Sequence, residues 1–436
     1  MHPFLETKLL AILQNRGVIS SGELTHELGI SRATLSRLMR GTSQKITRFG
    51  KTRAIQYGLI RELRDIGGEL PVFRVDKSGR LQAHGRLLVF HKSCYLLQPE
   101  DRVFTGLPPE VSDQAPQGFM GRAFVHSYAY ELGLPPDLRD WSDEHLLRAI
   151  ARRGEDFSGN LIVGQESAER WQKWKVEQIS RKAYPALAVS ALRGQPVGSS
   201  AGGEQPKFGA FVEGCHYLVK FSGASDSLLD ERWRDLLVCE QTALTILRKA
   251  EIDTMEAKLH SRGGAFFLEI PRFDRIGERG RRSVLSLAAV DLYHFGYHDN
   301  WAMTAERLEN AHLMSPMEAR KLKFLDAFSR LIGDTDRHFH NIVLFPRDTK
   351  NQWKTDYRLA PAFDKLPMLF APVAGQIPDR EFTMPAPSAA VLEVWDQACV
   401  IALEFWHLVS ETKMISASFR KVANRCLKVI RAGMGT

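Results

Sequence analysis

The sequence contains few cysteines, and no two of them have the spacing of a metal-binding or redox motif. Its five cysteines are scattered along the chain, and none belongs to a C-x-x-C sequence. An odd, scattered set is typical of a reducing compartment, and it argues against a structural zinc site. We therefore expect a cytoplasmic protein.

Long hydrophobic runs are also missing. No stretch approaches the roughly 18 apolar residues that a membrane-spanning helix needs. The most apolar late stretch, residues 391–409, is interrupted by Glu393, Asp396 and Glu404. The first residues lack the short apolar core of a signal peptide. With 44% hydrophobic and 25% charged residues, the composition excludes disordered, collagen-like and disulfide-scaffold proteins. We expect no membrane partner, and the length of 436 residues suggests about three domains.

Acidic residues are scarce at the start of the chain. Residues 1–60 contain three Lys and six Arg against three Glu, which gives +6 of the total net charge of +8. A basic block of this kind can be a solvated surface without a partner. When it coincides with a compact helical pattern, nucleic acid becomes the better explanation.

The basic segment has the pattern of a helix–turn–helix. Ser20 and Glu23 have the spacing of a capping box, which predicts that a second helix begins there. Gly29 can end this helix, and Ser31 can cap a third helix over residues 32–40. Recognition helices use a polar and basic face of this kind to meet phosphates and base edges.

A β-hairpin is predicted directly after the third helix, over residues 45–49 and 53–58. Together these elements predict that residues 1–64 are a winged helix that binds duplex DNA. The expected DNA-contacting residues lie on the third helix and the wing: Arg32, Thr34, Ser36, Arg37, Arg40, Arg48, Lys51 and Arg53. The alternative is a helical module for protein–protein interaction.

A glycine-rich loop and a lysine in an apolar strand follow much later in the chain. Residues 198–207 are mostly small and end in Lys207, and Lys220 lies in the next strand-like run. Glycines let backbone N–H groups approach phosphates closely. Lys220 is either a surface charge at a strand end or a phosphate ligand, and the preceding loop favours the second. Glu240, in a helical stretch, is a candidate partner for Lys220, although other acids could serve.

The strongest signal lies near residue 340. Asp336 is followed five residues later by Asn341 and then by a strand-like run, and Asp364 comes twenty-three residues after Asn341. Kinase catalytic loops need this arrangement, because the aspartate accepts or orients the substrate hydroxyl while the asparagine holds magnesium. A second aspartate after another strand can bridge Mg²⁺ to the phosphates of ATP.

These residues resemble those of the HipA family, the serine/threonine kinase toxins of bacterial toxin–antitoxin systems. The resemblance extends from about residue 70 to beyond residue 370 and rests on five segments: 199–207, 218–220, 271–275, 335–341 and 363–364. It implies a two-lobed kinase fold related to the phosphoinositide kinases. Together with the N-terminal winged helix–turn–helix, it predicts an α+β protein with domains at residues 1–64, 65–268 and 269–436.

The resemblance also implies specific roles. Asp336 would be the catalytic base, and Asn341 and Asp364 would hold Mg²⁺. The residues expected to bind ATP are Ala201, Gly202, Gly203, Glu204, Gln205, Lys207, Lys220, Glu269, Ile270, Pro271, His338, Asn341, Phe363 and Asp364. Family members can inactivate themselves by phosphorylating a serine at the start of the glycine loop, where Ser199 and Ser200 lie here.

Two features depart from the family pattern. The glycine loop is one residue longer and contains Pro206. In addition, the DNA-binding module is fused to the kinase, whereas the typical toxin has a separate helix–turn–helix antitoxin; the fused form resembles the HipH-like variant. The expected partners are therefore a protein substrate, duplex DNA and an antitoxin.

Two alternatives remain open at this point. One is a transcription regulator whose kinase-like domain senses nucleotide. The other is a DNA-cutting toxin in which the acidic and histidine side chains of the same region bind a metal. The residues of that alternative site are Asp334, Asp336, Asp364 and either His338 or His340.

Overall fold

The structure is a computed structural model, and it describes residues 3–42, 45–51, 54–99, 102–193, 205–347 and 356–435. The chain forms two compact units. The first contains Met1–Asp76, Arg80–Ala115 and Tyr130–Trp174, and the second contains Lys77–Gly79, Pro116–Ala129 and Lys175–Thr436. No helix among the described residues is long and apolar enough to cross a membrane. All five cysteines are free.

The first unit begins with three helices and a small sheet. Its elements are α1 (Pro3–Arg16), β1 (Val18–Ser20), α2 (Ser21–Leu28), α3 (Arg32–Gly41), β2 (Ile46–Phe49) and β3 (Gln56–Leu59). The strands are antiparallel in the order β1-β3-β2. The apolar positions of the helices form one core: Leu9, Leu13, Leu24, Leu28, Leu35 and Leu38.

Local capping explains where α2 and α3 begin and end. The Ser20 side chain accepts a hydrogen bond from the Glu23 backbone, and the Glu23 side chain accepts one from the Ser20 backbone, so the predicted capping box is confirmed. Gly29 ends α2 at a φ of 66°, a left-handed conformation that glycine adopts without strain. Ser31 caps α3 through the Thr34 backbone N–H.

A five-stranded antiparallel sheet completes the first unit. Its strands are β4 (Glu69–Val75), β5 (Leu81–Phe90), β6 (Cys94–Leu97), β7 (Arg102–Thr105) and β8 (Leu161–Val163), in the order β7-β6-β5-β4-β8. The helices of this unit are α4 (Pro109–Ser112), α6 (Asp143–Arg153) and α7 (Gln165–Lys173), whereas most of α5 (Gly118–Leu132) belongs to the second unit. Phe49 stacks on Phe90 with ring centroids 5.8 Å apart, which joins the N-terminal elements to this sheet.

The second unit begins with a helix and a four-stranded antiparallel sheet. Its elements are α8 (Tyr184–Arg193), β9 (Lys207–Val212), β10 (Cys215–Phe221), α9 (Leu228–Lys249), β11 (Lys258–Arg262) and β12 (Ala265–Pro271). The strand order is β11-β12-β10-β9. One face of the sheet packs against α8 and the other against α9. The expected domain boundary at residues 268 and 269 falls inside β12.

The rest of the second unit is mainly helical. It contains the short strands β13 (Arg275–Ile276), β14 (Gly280–Arg281), β15 (Leu285–Ser286), β16 (Val343–Pro346) and β17 (Tyr357–Leu359). The helices are α10 (Leu287–His294), α11 (Trp301–Asn310), α12 (Pro316–Leu331), α13 (Leu392–Glu411) and α14 (Ala417–Gly433). They share a large apolar core with α9, and the sheet β15-β16-β17 lies beside it.

Candidate active site

Lys220 lies at the centre of a buried group of charges. Its side chain is only 2% exposed, because β10 directs it toward α9 rather than toward solvent. The Lys220 ammonium donates hydrogen bonds to both carboxylate oxygens of Glu240, at 2.7 Å and 2.6 Å. It also donates to Asp364 Oδ1. The expected partner Glu240 is therefore present, and Asp364 is a second partner.

The charges of this group stabilise one another. Burial would lower the pKa of Lys220, but the carboxylates of Asp364 and Glu240 raise it above its ordinary value. Burial would raise the pKa of Asp364, but the Lys220 ammonium holds it well below its usual range. The Asp364 backbone N–H also donates to Glu240 Oε1 at 3.2 Å. Lys220 and Asp364 are therefore both charged at neutral pH.

The catalytic-loop candidate follows α12. Gly333 has a φ of 73°, which turns the chain out of the helix. The Asp336 side chain is 52% exposed, and its backbone N–H donates to Asp334 Oδ1 at 3.0 Å. The Asn341 side-chain amide donates to the Asp336 carbonyl at 2.7 Å. These bonds fix the loop backbone and leave the Asp336 carboxylate exposed.

The hairpin of β16 and β17 brings Asn341 and Asp364 to the same end of a sheet. Asn341 precedes β16, and Asp364 follows β17. The Ala360 N–H donates to the Val343 carbonyl at 2.9 Å, which pairs the start of one strand with the end of the other. Asp364 has a φ of 51°, a left-handed conformation that few residue types other than glycine adopt. The predicted magnesium ligands are thus neighbours in the topology.

Histidines flank the loop. His338 Nε2 lies 3.8 Å from Asp336 Oδ1, and its side chain is 49% exposed. Burial lowers the pKa of His340 to about 4, and the imidazoles of His338 and His298 act in the same direction. His298 stacks on Phe339, with ring centroids 4.5 Å apart. His340 is therefore neutral at physiological pH.

Glu269 lies on the face of the sheet opposite to Lys220. Strand register pairs Lys220 with Leu268, so the next residue on β12 points the other way. The Glu269 carboxylate accepts a hydrogen bond from Arg181 Nε at 2.7 Å and another from the Tyr184 hydroxyl. Burial opposes ionisation, but these two donors hold the pKa of Glu269 below its ordinary value. The Glu269 side chain therefore binds residues of α8 and of the segment that precedes α8.

The remaining residues predicted to bind the nucleotide lie along the four-stranded sheet of the second unit and after the hairpin of β16 and β17. Lys207 pairs with Lys220 across β9 and β10 and so shares its face. Gln205 is buried, and both polar atoms of its side chain lack a hydrogen-bond partner among the described residues. Ile270 is buried against Leu237.

Pro271 is the last residue of β12. Phe363 packs against Phe273, with ring centroids 5.6 Å apart. Seven other predicted site residues lie outside the described part of the chain: Arg53, Ser199, Ser200, Ala201, Gly202, Gly203 and Glu204.

The predicted DNA-contacting side chains of the first unit lie on its surface. Four of these residues lie exposed on α3: Arg32, Ser36, Arg37 and Arg40. Thr34 is half-buried, and its hydroxyl lies 3.0 Å from that of Ser31. Arg48 on β2 and Lys51 after it are also exposed. The expected basic face is therefore accessible.

Sequence reasoning missed one charged residue close to these side chains. Lys365 follows Asp364 directly, yet its side chain is completely buried. Its ammonium lies 4.4 Å from the centroid of the Trp301 ring. The signal was present, because Lys365 interrupts an apolar stretch that runs from Leu359 to Met368 apart from Asp364.

The structure does not bring together the acidic and histidine side chains that the DNA-cutting alternative would use to bind a metal. Among the described residues, no group of three or more His, Cys, Asp or Glu side chains could hold a metal ion. Asp334, which that site would use, is buried.

Two known families match this chain. The family described as "HipA-like C-terminal domain" matches residues 199–430, and that described as "YjjJ-like toxin, middle domain" matches residues 66–172. Toxin YjjJ of Escherichia coli is 34% identical over 431 residues, covering 95% of this chain and 96% of that protein.

The chain belongs to the HipA-like toxin family. The resemblance inferred from the sequence is thus confirmed. A solved structure agrees at the level of fold: HipA from Shewanella oneidensis, determined in a complex with HipB and operator DNA, is similar with a TM-score of 0.52. That match has 15% sequence identity and covers 84% of this chain and 97% of the other. This HipA-like chain therefore has a mixed α/β fold that resembles HipA.

Proposed function

We propose that this HipA-like toxin is an ATP- and Mg²⁺-dependent protein serine/threonine kinase with an N-terminal DNA-binding module. The observation that carries the proposal is the buried ion pair of Lys220 and Glu240 in contact with Asp364. Protein kinases need a strand lysine paired with a helix glutamate, together with a metal-binding aspartate. A purely structural ion pair would not need an exposed aspartate on the loop that follows α12, where Asp336 lies.

Each residue has a distinct role in the proposed reaction. The Lys220 ammonium, kept charged by its two partners, binds phosphate oxygens of ATP. Asp336 accepts the proton from the hydroxyl of a serine or threonine on the substrate protein. Its exposure suits this role, because a protein substrate must reach it. The hydrogen bond from Asn341 to the Asp336 carbonyl holds the base in place.

The residues at the end of the hairpin fit a magnesium ion. Mg²⁺ prefers oxygen ligands and is commonly held by one or two protein side chains together with phosphate oxygens. The Asn341 NH₂ group donates to a carbonyl, so its amide oxygen takes no part in that hydrogen bond and would be the metal ligand. Asp364 would supply a carboxylate that remains ionised. The bound ion would neutralise charge that develops on the phosphates.

The first unit supports the DNA-binding part of the proposal. The element order α1-β1-α2-α3-β2-β3 is that expected of a winged helix, and α3 exposes three arginines. The related HipA was solved with HipB and operator DNA. We therefore include duplex DNA and an antitoxin among the proposed partners of this chain.

Autophosphorylation of Ser199 or Ser200 is part of the same proposal. A phosphate at the start of a loop that binds phosphates would compete with ATP for the same N–H groups. Such a mark would switch the kinase off.

The deciding experiment measures transfer of labelled phosphate from ATP onto the protein itself, with and without Mg²⁺. We expect Asp336→Ala to reduce transfer by about 100-fold or more, because a lost general base typically costs 10²–10⁴ in rate. ATP binding should be retained, since the nucleotide contacts lie elsewhere. Asp379→Ala, at an exposed aspartate of the same unit, is the matched control and should behave like wild type.

Mass spectrometry of the labelled protein locates the phosphate. We expect it on Ser199 or Ser200 in the wild type and on neither in Asp336→Ala. Full transfer by the Asp336→Ala protein would contradict the assigned base. A wild-type protein that binds ATP and Mg²⁺ without transferring phosphate to itself or to any cellular protein would contradict the kinase function.

A further inference from the structure

The loop between α10 and α11, residues 295–300, contacts the proposed catalytic loop through one histidine. The ring centroids of His298 and Phe339 are 4.5 Å apart, and the two ring planes are inclined by only 15°. Phe339 is 7% exposed, and it lies between Asp336, the proposed base, and Asn341, the proposed magnesium ligand. The Phe339 ring is thus packed against a residue that comes from outside the catalytic loop.

The backbone of His298 adopts an uncommon conformation. Its φ is 52°, in the left-handed region, where residues other than glycine are seldom found. Such a conformation costs free energy, so it persists only where the surrounding contacts fix it, and it is found most often at active sites. The neighbours of His298 must therefore hold it in place.

A buried carboxylate holds the loop between α10 and α11. Asp291 on α10 is 0% exposed, and its Oδ2 accepts a hydrogen bond from the His298 backbone N–H at 2.9 Å. Asp291 Oδ1 accepts another from Arg307 Nη2, on α11, at 3.3 Å. Arg307 also donates to both carboxylate oxygens of Asp299, at 2.7 Å each. The loop is therefore fixed to both of the helices that flank it.

The His298 side chain contributes little to the core of the fold. It is 52% exposed, so it removes only a small apolar area from water. Its stacking on Phe339, in contrast, restricts the positions that the catalytic loop can take. The contact therefore has more effect on where the loop lies than on the stability of the whole unit.

We propose that His298 is a positioning residue, whose ring stacks on Phe339 and so holds the catalytic loop where Asp336 can meet the substrate hydroxyl. This inference rests on the proposed kinase function. His298 acts through Phe339 and needs no contact with ATP, Mg²⁺ or the substrate. The role requires a flat ring at this position, and it does not require a proton or a charge.

Two substitutions in the full chain separate the ring from the backbone. His298→Asn removes the ring, but asparagine adopts the left-handed conformation readily, so the melting temperature should fall by only a few degrees. His298→Phe keeps a ring that can stack, but a bulky residue is strained at this φ, so this variant should be no more stable than His298→Asn. His312→Asn is the matched control, because His312 is exposed, has a φ of 56° and makes no ring contact among the described residues.

The rate of phosphate transfer should depend on the ring and not on the melting temperature. Transfer of labelled phosphate from ATP onto the protein itself is measured at saturating ATP. We expect His298→Asn to be slower than the wild type by about 10-fold or more, since a misplacement of about 1 Å can cost a factor of 100. His298→Phe should retain most of the wild-type rate. The ATP concentration at half-maximal rate should change little in either variant, because the contacts of Lys220 remain.

Hydrogen exchange provides a readout that needs no phosphate transfer. The backbone N–H groups of Asp336 and Asn341 are hydrogen-bonded within the loop. They should exchange faster in His298→Asn than in the wild type, because a segment that opens more often loses protection. His298→Phe and His312→Asn should exchange like the wild type.

Four outcomes would overturn the inference. They are an unchanged transfer rate in His298→Asn, equal slowing in His312→Asn, a rate that falls with the melting temperature in both variants of His298, and equal hydrogen exchange in all the proteins. If the wild type transfers no phosphate, the kinase proposal fails instead. Hydrogen exchange would still show whether the His298 ring holds the loop.

Discussion

Asp334, Asp336 and Asp364 carry the same side chain in three different environments. Asp334 is buried in the loop that follows α12, and Asp336 is 52% exposed. Asp364 is 21% exposed and paired with Lys220. Because surroundings decide the charge of a carboxylate, we propose different roles for these residues, with Asp336 as the base and Asp364 as a metal ligand.

The metal ligands can be tested one at a time. Asn341→Ala and Asp364→Asn each remove one proposed oxygen ligand or its charge, so more Mg²⁺ should be needed for nucleotide binding. A loss of about 1.4 kcal/mol would correspond to a tenfold higher Mg²⁺ concentration at half-saturation. Calorimetric titration with a non-hydrolysable ATP analogue at several Mg²⁺ concentrations measures this. Asp379→Asn is the control, and an unchanged magnesium dependence in both variants would refute the ligand assignment.

His340 makes stability depend on pH. Burial lowers its folded-state pKa to about 4 from an ordinary value of 6.5. Between these two values the unfolded chain binds a proton that the folded chain does not. The contribution is therefore fully present above about pH 6.5 and is lost as pH falls through about 4. It amounts to at most about 3 kcal/mol of the free energy of unfolding.

The substitution His340→Gln should make stability less sensitive to acid. Urea denaturation at about pH 7 and about pH 4.5 gives the loss of unfolding free energy for each protein. We expect a smaller loss in the variant than in the wild type. His407→Gln changes an exposed histidine and should behave like the wild type. Equal losses in all three proteins would argue against a depressed pKa at His340.

The sequence was sufficient to predict the local setting of residues that lie close together in the chain. Asn341 comes five residues after Asp336 within one loop. The apolar residues on either side of Lys220 in the sequence indicate that it lies in a strand. The sequence indicated Glu240 as a candidate partner of Lys220 but did not exclude other acidic residues. The contacts of Lys220 with α9 and with the segment after β17 are tertiary contacts, which the sequence does not show. The complete burial of Lys365 could not be predicted for the same reason. The side-chain direction of Glu269 depends on strand register, which the sequence left open.

At the scale of elements, α3 is amphipathic, and the residues that stabilise the fold lie on a different face from those proposed to bind DNA. Leu35 and Leu38 are buried in the core, while Arg32 and Arg37 are exposed. Gly29 ends α2 and Ser31 caps the start of α3. These local caps therefore determine which face of α3 is exposed. Substitutions on that face should therefore leave the fold intact.

The double substitution Arg32→Ala and Arg37→Ala should weaken binding of the full chain to duplex DNA. If both arginines contact phosphates, the slope of log affinity against log salt should fall by about 2, at roughly 0.9 per contact. If Arg32 reads a guanine, the loss should concentrate at one base pair and amount to about 1–3 kcal/mol.

Gel-shift titrations at several salt concentrations distinguish the two cases. Circular dichroism checks that the variant is folded, and Lys8→Ala on α1 is the control for loss of an exposed basic residue. Phosphotransfer should not change. Salt-independent binding, or no binding to any duplex, would favour the protein-interaction alternative for residues 1–64.

At the scale of the whole molecule, the chain divides into two compact units, each with cores of its own. Every described residue proposed to bind ATP or Mg²⁺ belongs to the second unit, and every described residue proposed to bind DNA belongs to the first. Each ligand should therefore protect its own unit.

Hydrogen exchange of the full chain tests this division. Mg²⁺ with an ATP analogue should slow exchange in β10 and in the loop after α12, and duplex DNA should slow it in α3, because bound segments open less often. The protein without ligand is the reference. Protection of α3 by nucleotide alone would show that the nucleotide site is not confined to the second unit.

The left-handed backbone of Asp364 has a consequence for how the gene tolerates mutation. Glycine, asparagine and aspartate adopt this conformation most readily, whereas β-branched side chains are strained in it. In a saturation library at this codon, a screen for protein abundance would retain all three. A screen for growth arrest would retain aspartate alone, since only its carboxylate can pair with Lys220. Comparison of the two screens at this codon would separate the requirement for a left-handed backbone, which affects abundance, from the requirement for a carboxylate, which affects toxicity.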